Sequence, residues 1–266
     1  MSTSEGPPVV VLLGDRGPLT RAVFHALERE LGPGAAVHAL VENSPSRWAL
    51  ARRRAKRLGW PTVAGQAAFV ALVLPVLRCL GRARTREIAN SEGLDVSPIG
   101  RKLQAVASVN DDATLRHLLA LNPRLVVVHG TRLIAGSVLQ RLDVPVINLH
   151  AGVTPRYRGV HGGYWALADE RPDLAGSTVH LIDEGIDTGG ILGQATFRTT
   201  RSDSIATYPA LQVACGLPLV SRAARAVLDG QGLEVIAPLS GAETSQLRWH
   251  PTAWGYLVTR LRRGVR

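Results

Sequence analysis

Residues 9–41 read VVVLLGDRGPLTRAVFHALERELGPGAAVHALV. The run at 9–13 is continuously apolar and rich in β-branched residues, as a buried strand would be. Gly14 ends it, and Pro18 stands where a helix opens, because its fixed φ and missing N–H suit a first turn. Ala22, Val23, Ala26 and Leu27 recur at helical spacing through 19–31, and Gly32-Pro33-Gly34 stops the helix. A second apolar run at 36–41 completes a β-α-β unit. Such a unit predicts an α/β, doubly wound, mostly parallel sheet, with ligands gathered at the carboxyl ends of the strands. Gly14-x-x-Gly17 in the first turn is neither the dinucleotide fingerprint nor a P-loop. It reads first as a plain strand-to-helix turn and second as an anion cradle.

Working outward, residues 46–58 predict a basic helix carrying Arg52, Arg53, Arg54, Lys56 and Arg57, closed by Trp60-Pro61-Thr62. Residues 67–80 predict a strongly apolar helix, with Arg78, Arg82, Arg84 and Arg86 at and beyond its end. The segment 65–101 has no evident place in the core and reads as an insertion. A packed helix with a basic end and a helix lying on a membrane surface both fit it. Residues 90–100 read as a loop and 106–109 as a short strand. Asn110 or Asp111 caps a helix running to 121, and Asn122-Pro123 ends it. Strands follow at 125–129, 144–149, 177–182 and 195–199, with a helix at 135–142. A last helix, from Asp203 to 228, carries an expected break at Gly216-Leu217-Pro218. This organisation divides the chain into a core at 1–232 and a short C-terminal appendage at 233–266.

The chain has 266 residues, 45% of them hydrophobic, enough for one large core. Its formal net charge of +10 suits an anionic partner such as nucleic acid, a phosphorylated substrate or a membrane surface. Lys56 and Lys102 are the only lysines, so the charge is almost wholly arginine and can equally reflect composition. Cys79 and Cys215 lie in apolar surroundings with no metal spacing, which predicts reduced structural thiols. The polar N-terminus lacks a secretory pattern. The longest apolar run, at 67–77, is too short to span a bilayer and contains Pro75. A cytoplasmic protein is expected.

The chemistry concentrates between 144 and 192. There Asn148 and His150 end an apolar run, and Asp187 sits in the turn Asp183-Glu184-Gly185-Ile186-Asp187-Thr188-Gly189-Gly190. Acylating an amine requires a stabilised oxyanion, a proton removed from the attacking nitrogen and a proton given to the leaving nitrogen. Asn148 can donate to the oxyanion. His150, two residues along a strand, faces the same side and can stabilise charge or relay a proton. Asp187 can accept from His150 or from a relay water, and the turn glycines allow close approach to a ligand. Each residue alone has a structural explanation; the ordered set carries the functional one.

That set resembles the folate-dependent formyltransferase family: Ile147-Asn148-Leu149-His150, then Pro155-Arg156-Tyr157-Arg158-Gly159 and His161, then Asp183 to Leu192. A weaker resemblance extends over 9–230. It implies a Rossmann-like catalytic core with Asn148, His150 and Asp187 as catalytic residues. The donor it implies is 10-formyltetrahydrofolate, with direct transfer from N10 to a primary amine, no covalent enzyme intermediate and no metal. The pterin would be held by Gly130, Thr131, Arg132, Leu133 and Ile134 together with Asp183, Glu184, Gly185 and Ile186. Arg156, Tyr157, Arg158 and His161 would bind the acceptor.

Where the family commonly has His-Pro-Ser-Leu-Leu-Pro, this chain has His150-Ala151-Gly152-Val153-Thr154-Pro155. Its first loop lacks the Gly-x-Gly-Ser-Asn of the ribonucleotide enzymes, and its tail is too short for the β-barrel of the tRNA enzymes. The expected partner is therefore a small-molecule amine, an amino sugar or specialised metabolite, and not nucleic acid. The basic segments would allow peripheral membrane contact. The competing expectations are a 10-formyltetrahydrofolate hydrolase (deformylase) and a non-catalytic basic protein that binds nucleic acid or membrane. Oligomeric state is left open.

Overall fold

A computed structural model describes residues 6–42, 55–241 and 244–266. The opening β-α-β unit forms as the sequence dictates: β1 (Val9–Asp15), α1 (Pro18–Leu31) and β2 (Ala36–Glu42), with β1 and β2 parallel from Val9↔Ala36 to Asp15↔Glu42. β3 (Leu103–Val106), β4 (Pro123–His129), β5 (Val146–His150), β6 (Gly176–Leu181) and β7 (Ile191–Thr196) complete a seven-stranded sheet among the described residues. Its order is β3-β2-β1-β4-β5-β6-β7. The first four neighbour pairs are parallel and the last two, β5 with β6 and β6 with β7, are antiparallel, so β6 alone is reversed. The apolar strands are covered on both faces. On one side lie α1 and the long helix α7 (Tyr208–Leu228), with Val10, Leu12, Phe24, Leu125, Ile147 and Val220 in the core. On the other, Val11, Leu13, Val126 and Val128 pack against Leu115 and Leu118 of α4 (Asp112–Ala120), and the short helices α5 (Gly136–Leu139) and α6 (Gly162–Ala168) come between it and α7 in the chain. A sheet buried on both faces explains why β1 and β4 read as unbroken apolar runs rather than alternating ones.

Several sequence expectations are corrected. Trp60-Pro61-Thr62 opens a helix instead of closing one: Gly59, at φ 78, ends the preceding turn, and Pro61 occupies the first turn of α2, where its missing N–H costs nothing. Most of the predicted 46–58 helix lies outside the described residues. Helix α2 runs from Trp60 to Leu80, with a π turn at Phe69–Val73 just before Pro75, which has no N–H to donate to the spiral. Helix α3 (Arg82–Ser91) follows, so the loop begins later than residue 90. The third strand is Leu103–Val106, not 106–109, because Val109 instead donates its backbone N–H to Glu42. Helix α7, expected from Asp203, begins at Tyr208 and continues through Pro218. Among the described residues, α2 and α7 are each long and apolar enough to cross a bilayer, which the run at 67–77 alone is not.

Candidate active site

β5 delivers Asn148 and His150 to the same side of the sheet, two residues apart. β6 lies antiparallel beside it, in a register that sets His180 opposite Asn148 and Thr178 opposite His150. Nδ1–H of His180 donates to the Leu181 carbonyl at 2.7 Å. Its Nε2 is thereby left as an acceptor, 3.1 Å from Nδ2 of Asn148. Burial pushes the His180 pKa below its ordinary value, consistent with this neutral accepting ring. One N–H of the Asn148 carboxamide is thus engaged by His180, and the other is left for the cavity.

His150 is buried at the end of β5. Its Nε2 lies 2.9 Å from the Tyr157 carbonyl, and its Nδ1 lies 3.3 Å from Oδ1 of Asp187. Both ring nitrogens face acceptors, so a proton received by this ring has two oxygens to donate toward. The second oxygen of Asp187 accepts the Gly159 N–H at 2.8 Å. Asp187 holds φ 53, a left-handed conformation that Asp and Asn tolerate better than most residues. Its turn is shaped by Asp183, which accepts from Gly185 N–H at 3.0 Å and from the Thr188 hydroxyl at 2.7 Å. Gly189 serves the protein's own chain: a side chain there would strike the Leu181 carbonyl.

These residues open onto one cavity of about 480 Å³. Its far wall is the loop after β4, Gly130 to Ile134. That loop is pinned by the buried Glu42, which accepts the Arg132 N–H at 2.7 Å and pairs with the Arg132 guanidinium at 2.7 Å. Leu133 and Ile186 present apolar side chains that remain exposed, 55% and 36%, at the two walls. The first turn is not an anion cradle. Asp15 fills it, accepting the Gly17 N–H at 2.8 Å and the Thr20 hydroxyl at 2.6 Å, so a carboxylate already occupies the start of α1.

The C-terminal segment closes another side of the cavity. Gly159 and Arg248 form a parallel bridge: Arg248 N–H donates to the Arg158 carbonyl at 2.9 Å, and Val160 N–H to the Arg248 carbonyl at 3.1 Å. Gly159 has φ 92, and a side chain there would strike the Arg248 backbone, so only glycine permits this pairing. The bridge brings Leu247, Arg248 and Trp249 into the cavity wall. Nε2 of His161 lies 2.8 Å from Nδ1 of His250. Burial, then the neighbouring His250 and Arg78, hold the His161 pKa down at about 3, so this ring is neutral. Arg248 lies over the Trp165 ring at 5.1 Å and pairs with Asp169 at 2.6 Å. A groove of about 520 Å³, bordered by Thr62, Gln66, Trp165 and Thr259, shares Leu247, Arg248 and Trp249 with the cavity.

Of the residues singled out from sequence, Asn148, His150, Asp187, Gly130, Thr131, Arg132, Leu133, Ile134, Asp183, Gly185, Ile186 and His161 line this cavity. Four do not. Glu184 accepts from Gln140 at 3.1 Å on the outside of the turn. The Tyr157 ring is buried with Val153, Ala166 and Leu174, and it is the Tyr157 carbonyl that reaches His150. Arg158 donates to the Ile186 carbonyl at 2.8 Å and braces the turn, and Arg156 lies outside the lining. Sequence reasoning missed His180, whose signal was its alternation with Thr178 along one strand, and the 247–250 segment, which carries no motif. Among the described residues, no group of three His, Cys, Asp or Glu side chains is placed to hold a metal ion.

Comparison with known proteins bears on this geometry. A family model described as formyl transferase matches residues 8–211. A methionyl-tRNA formyltransferase of Pelotomaculum thermopropionicum is 30% identical over 151 residues, covering 53% of this chain and 48% of the relative. The chain spans between about a third and about half of the length of the curated relatives it matches. Among solved structures, a sugar N-formyltransferase from a Shewanella species superposes with a TM-score of 0.55 at 15% identity, over 91% of this chain and 76% of that one. A phosphoribosylglycinamide formyltransferase from Anaplasma phagocytophilum gives 0.55 at 15% identity, over 92% and 97%. At those identities the two structures speak to the fold alone.

Proposed function

Because the chain belongs to the formyl transferase family, we propose that it transfers a formyl group from 10-formyltetrahydrofolate to a primary amine of a small molecule, an amino sugar or specialised metabolite. The observation that carries this reading is the convergence of Asn148, His150 and Asp187 on one cavity between two loops. The donor fits that cavity by its chemistry. A flat pterin needs apolar walls and a backbone edge to hydrogen-bond. Leu133, Ile134, Ile182 and Ile186 supply the walls, and residues 130–134 supply the edge.

In the reaction, the amine nitrogen attacks the formyl carbon and the bond from that carbon to N10 breaks. The free N–H of Asn148 donates to the developing oxyanion. The proton shed by the attacking nitrogen passes through water to the Asp187–His150 pair, where Oδ1 and Nδ1 lie 3.3 Å apart, and N10 gains one as it leaves. Asp187, 3.3 Å from Nδ1, orients the His150 ring.

An amino-sugar acceptor is supported by the opposite wall. Trp249, the neutral His161 ring and the backbone of Leu247 and Arg248 offer an apolar surface edged with hydrogen-bonding groups, the chemistry that a hydroxylated ring requires. A cytoplasmic site of action accords with two free cysteines, Cys79 and Cys215. The test is release of tetrahydrofolate from 10-formyltetrahydrofolate across a panel of amines. Acceptor-dependent release that Asn148→Ala abolishes supports the reading. Formate release at full rate without any amine would replace transfer with hydrolysis.

A further inference from the structure

Helix α2 has an outward face unlike that of an ordinary surface helix. Residues 60–77 contain no charged side chain. Yet the helix lies outside the sheet layers, with Leu72, Val76 and Leu80 exposed at 68%, 56% and 76%. A helix packed on the surface of a globular protein normally turns charged or polar residues outward. Helix α8 (Ala253–Arg263) adds a second such face. Trp254, Leu257, Val258 and Leu261 fall at i, i+3, i+4 and i+7, and all are exposed. The two helices are fastened together. Trp254 lies against Gly65 of α2, where any side chain would collide with its ring, and Tyr256 packs on Phe69 with centroids 5.4 Å apart. Exposed cations border the apolar faces: Lys56 and Arg57 before α2, Arg78, Arg82 and Arg86 at and after its end, and Arg260, Arg262 and Arg263 on α8. Neither α2 nor α8 contains an acidic residue.

We propose that α2 and α8 together form a platform that seats the protein on the surface of an anionic lipid bilayer. Exposed apolar side chains would enter the interface while the arginine heads meet lipid phosphates. Charge decides between occupants: a second copy of the chain would bring the same cationic border against itself, whereas an anionic lipid surface complements it. The platform does not depend on the formyl-transfer reading, since it shares no residue with the catalytic set.

The test is flotation of the full chain with phosphatidylcholine vesicles, with and without phosphatidylglycerol. The proposal expects binding only to the anionic vesicles, weakened by salt. Leu72→Glu with Val76→Glu should lower partitioning by roughly a hundredfold, as expected for keeping two large apolar side chains out of the interface. Far-UV circular dichroism serves as the control for folding and should not change. No association with anionic vesicles at low salt overturns the proposal, as does binding that the double variant leaves intact. A self-association that the double variant dissolves, with no vesicle binding, assigns the face to a second copy and equally overturns it.

Discussion

Asn148 is the residue on which the proposed chemistry turns, and its orientation depends on a neighbour. His180 accepts one of its amide protons and so fixes which way the carboxamide points. Asn148→Ala should reduce formyl transfer about a hundredfold or more, in line with the loss of an oxyanion donor, with near-UV circular dichroism unchanged. His180 acts through Asn148 as a positioning residue. His180→Phe should lower kcat about tenfold, the worth of one hydrogen bond of about 1.4 kcal/mol, while KM for the donor changes less. His180→Gln, whose carbonyl oxygen can accept the same proton, should recover part of the loss. If Phe and Gln behave alike, the role is packing.

Buried histidines also shape the response to pH. His161, His129 and His180 all have folded pKa values below the ordinary 6.5, with burial the largest cause at each. The unfolded chain therefore binds more protons than the folded one below pH 6.5. Their contribution to stability is complete above that value and is lost as the pH falls from 6.5 toward about 3, where His161 titrates in the fold. Thermal unfolding followed from pH 8 to about 4 should show Tm declining from near 6.5, before carboxylate titration begins. A flat Tm down to pH 5 would contradict this.

At the scale of elements, the opening β-α-β unit was legible because local chemistry and global role agree there: an apolar strand, a proline-started helix and a Gly-Pro-Gly stop. Other elements were not. Trp60-Pro61 reads as a stop or a start depending on what precedes it, and Gly59 decides. β6 reads as one more buried strand, with nothing local to show that it runs antiparallel. Only that direction puts His180 opposite Asn148. The 245–249 segment was illegible because its place is set by a partner almost ninety positions earlier, through backbone pairing that leaves no side-chain pattern. Gly159→Ala tests that pairing. It forces an alanine to φ 92 against the Arg248 backbone and should cost on the order of 2 kcal/mol, read by urea denaturation. It should raise KM for the amine more than affinity for the folate, because Leu247, Arg248 and Trp249 stand on the acceptor wall.

Over the whole molecule, the sheet order brings the carboxyl ends of β4 and β5 side by side, and β6 with its turn completes the site from the antiparallel edge. The three residues that sequence pattern assigned to chemistry therefore meet in one cavity, although Asp187 lies well beyond His150 in the chain. Pattern reached that far because Asn148 and His150 share one strand, β5, and Asp187 lies in the turn that follows β6, the strand paired with it. It reached less far into the wall proposed for the acceptor: His161 stands there as expected, Arg156, Tyr157 and Arg158 do not, and Leu247, Arg248 and Trp249 of the C-terminal segment do. The central claim is that this cavity holds a reduced folate against Asn148 and His150. Isothermal titration calorimetry with a non-transferring 10-formyltetrahydrofolate analogue tests it most directly. One molecule should bind per chain, and Ile186→Trp, which fills the proposed pterin slot, should abolish the heat while the protein stays folded. Absence of binding to the unaltered chain, or binding that Ile186→Trp leaves untouched, would contradict the account.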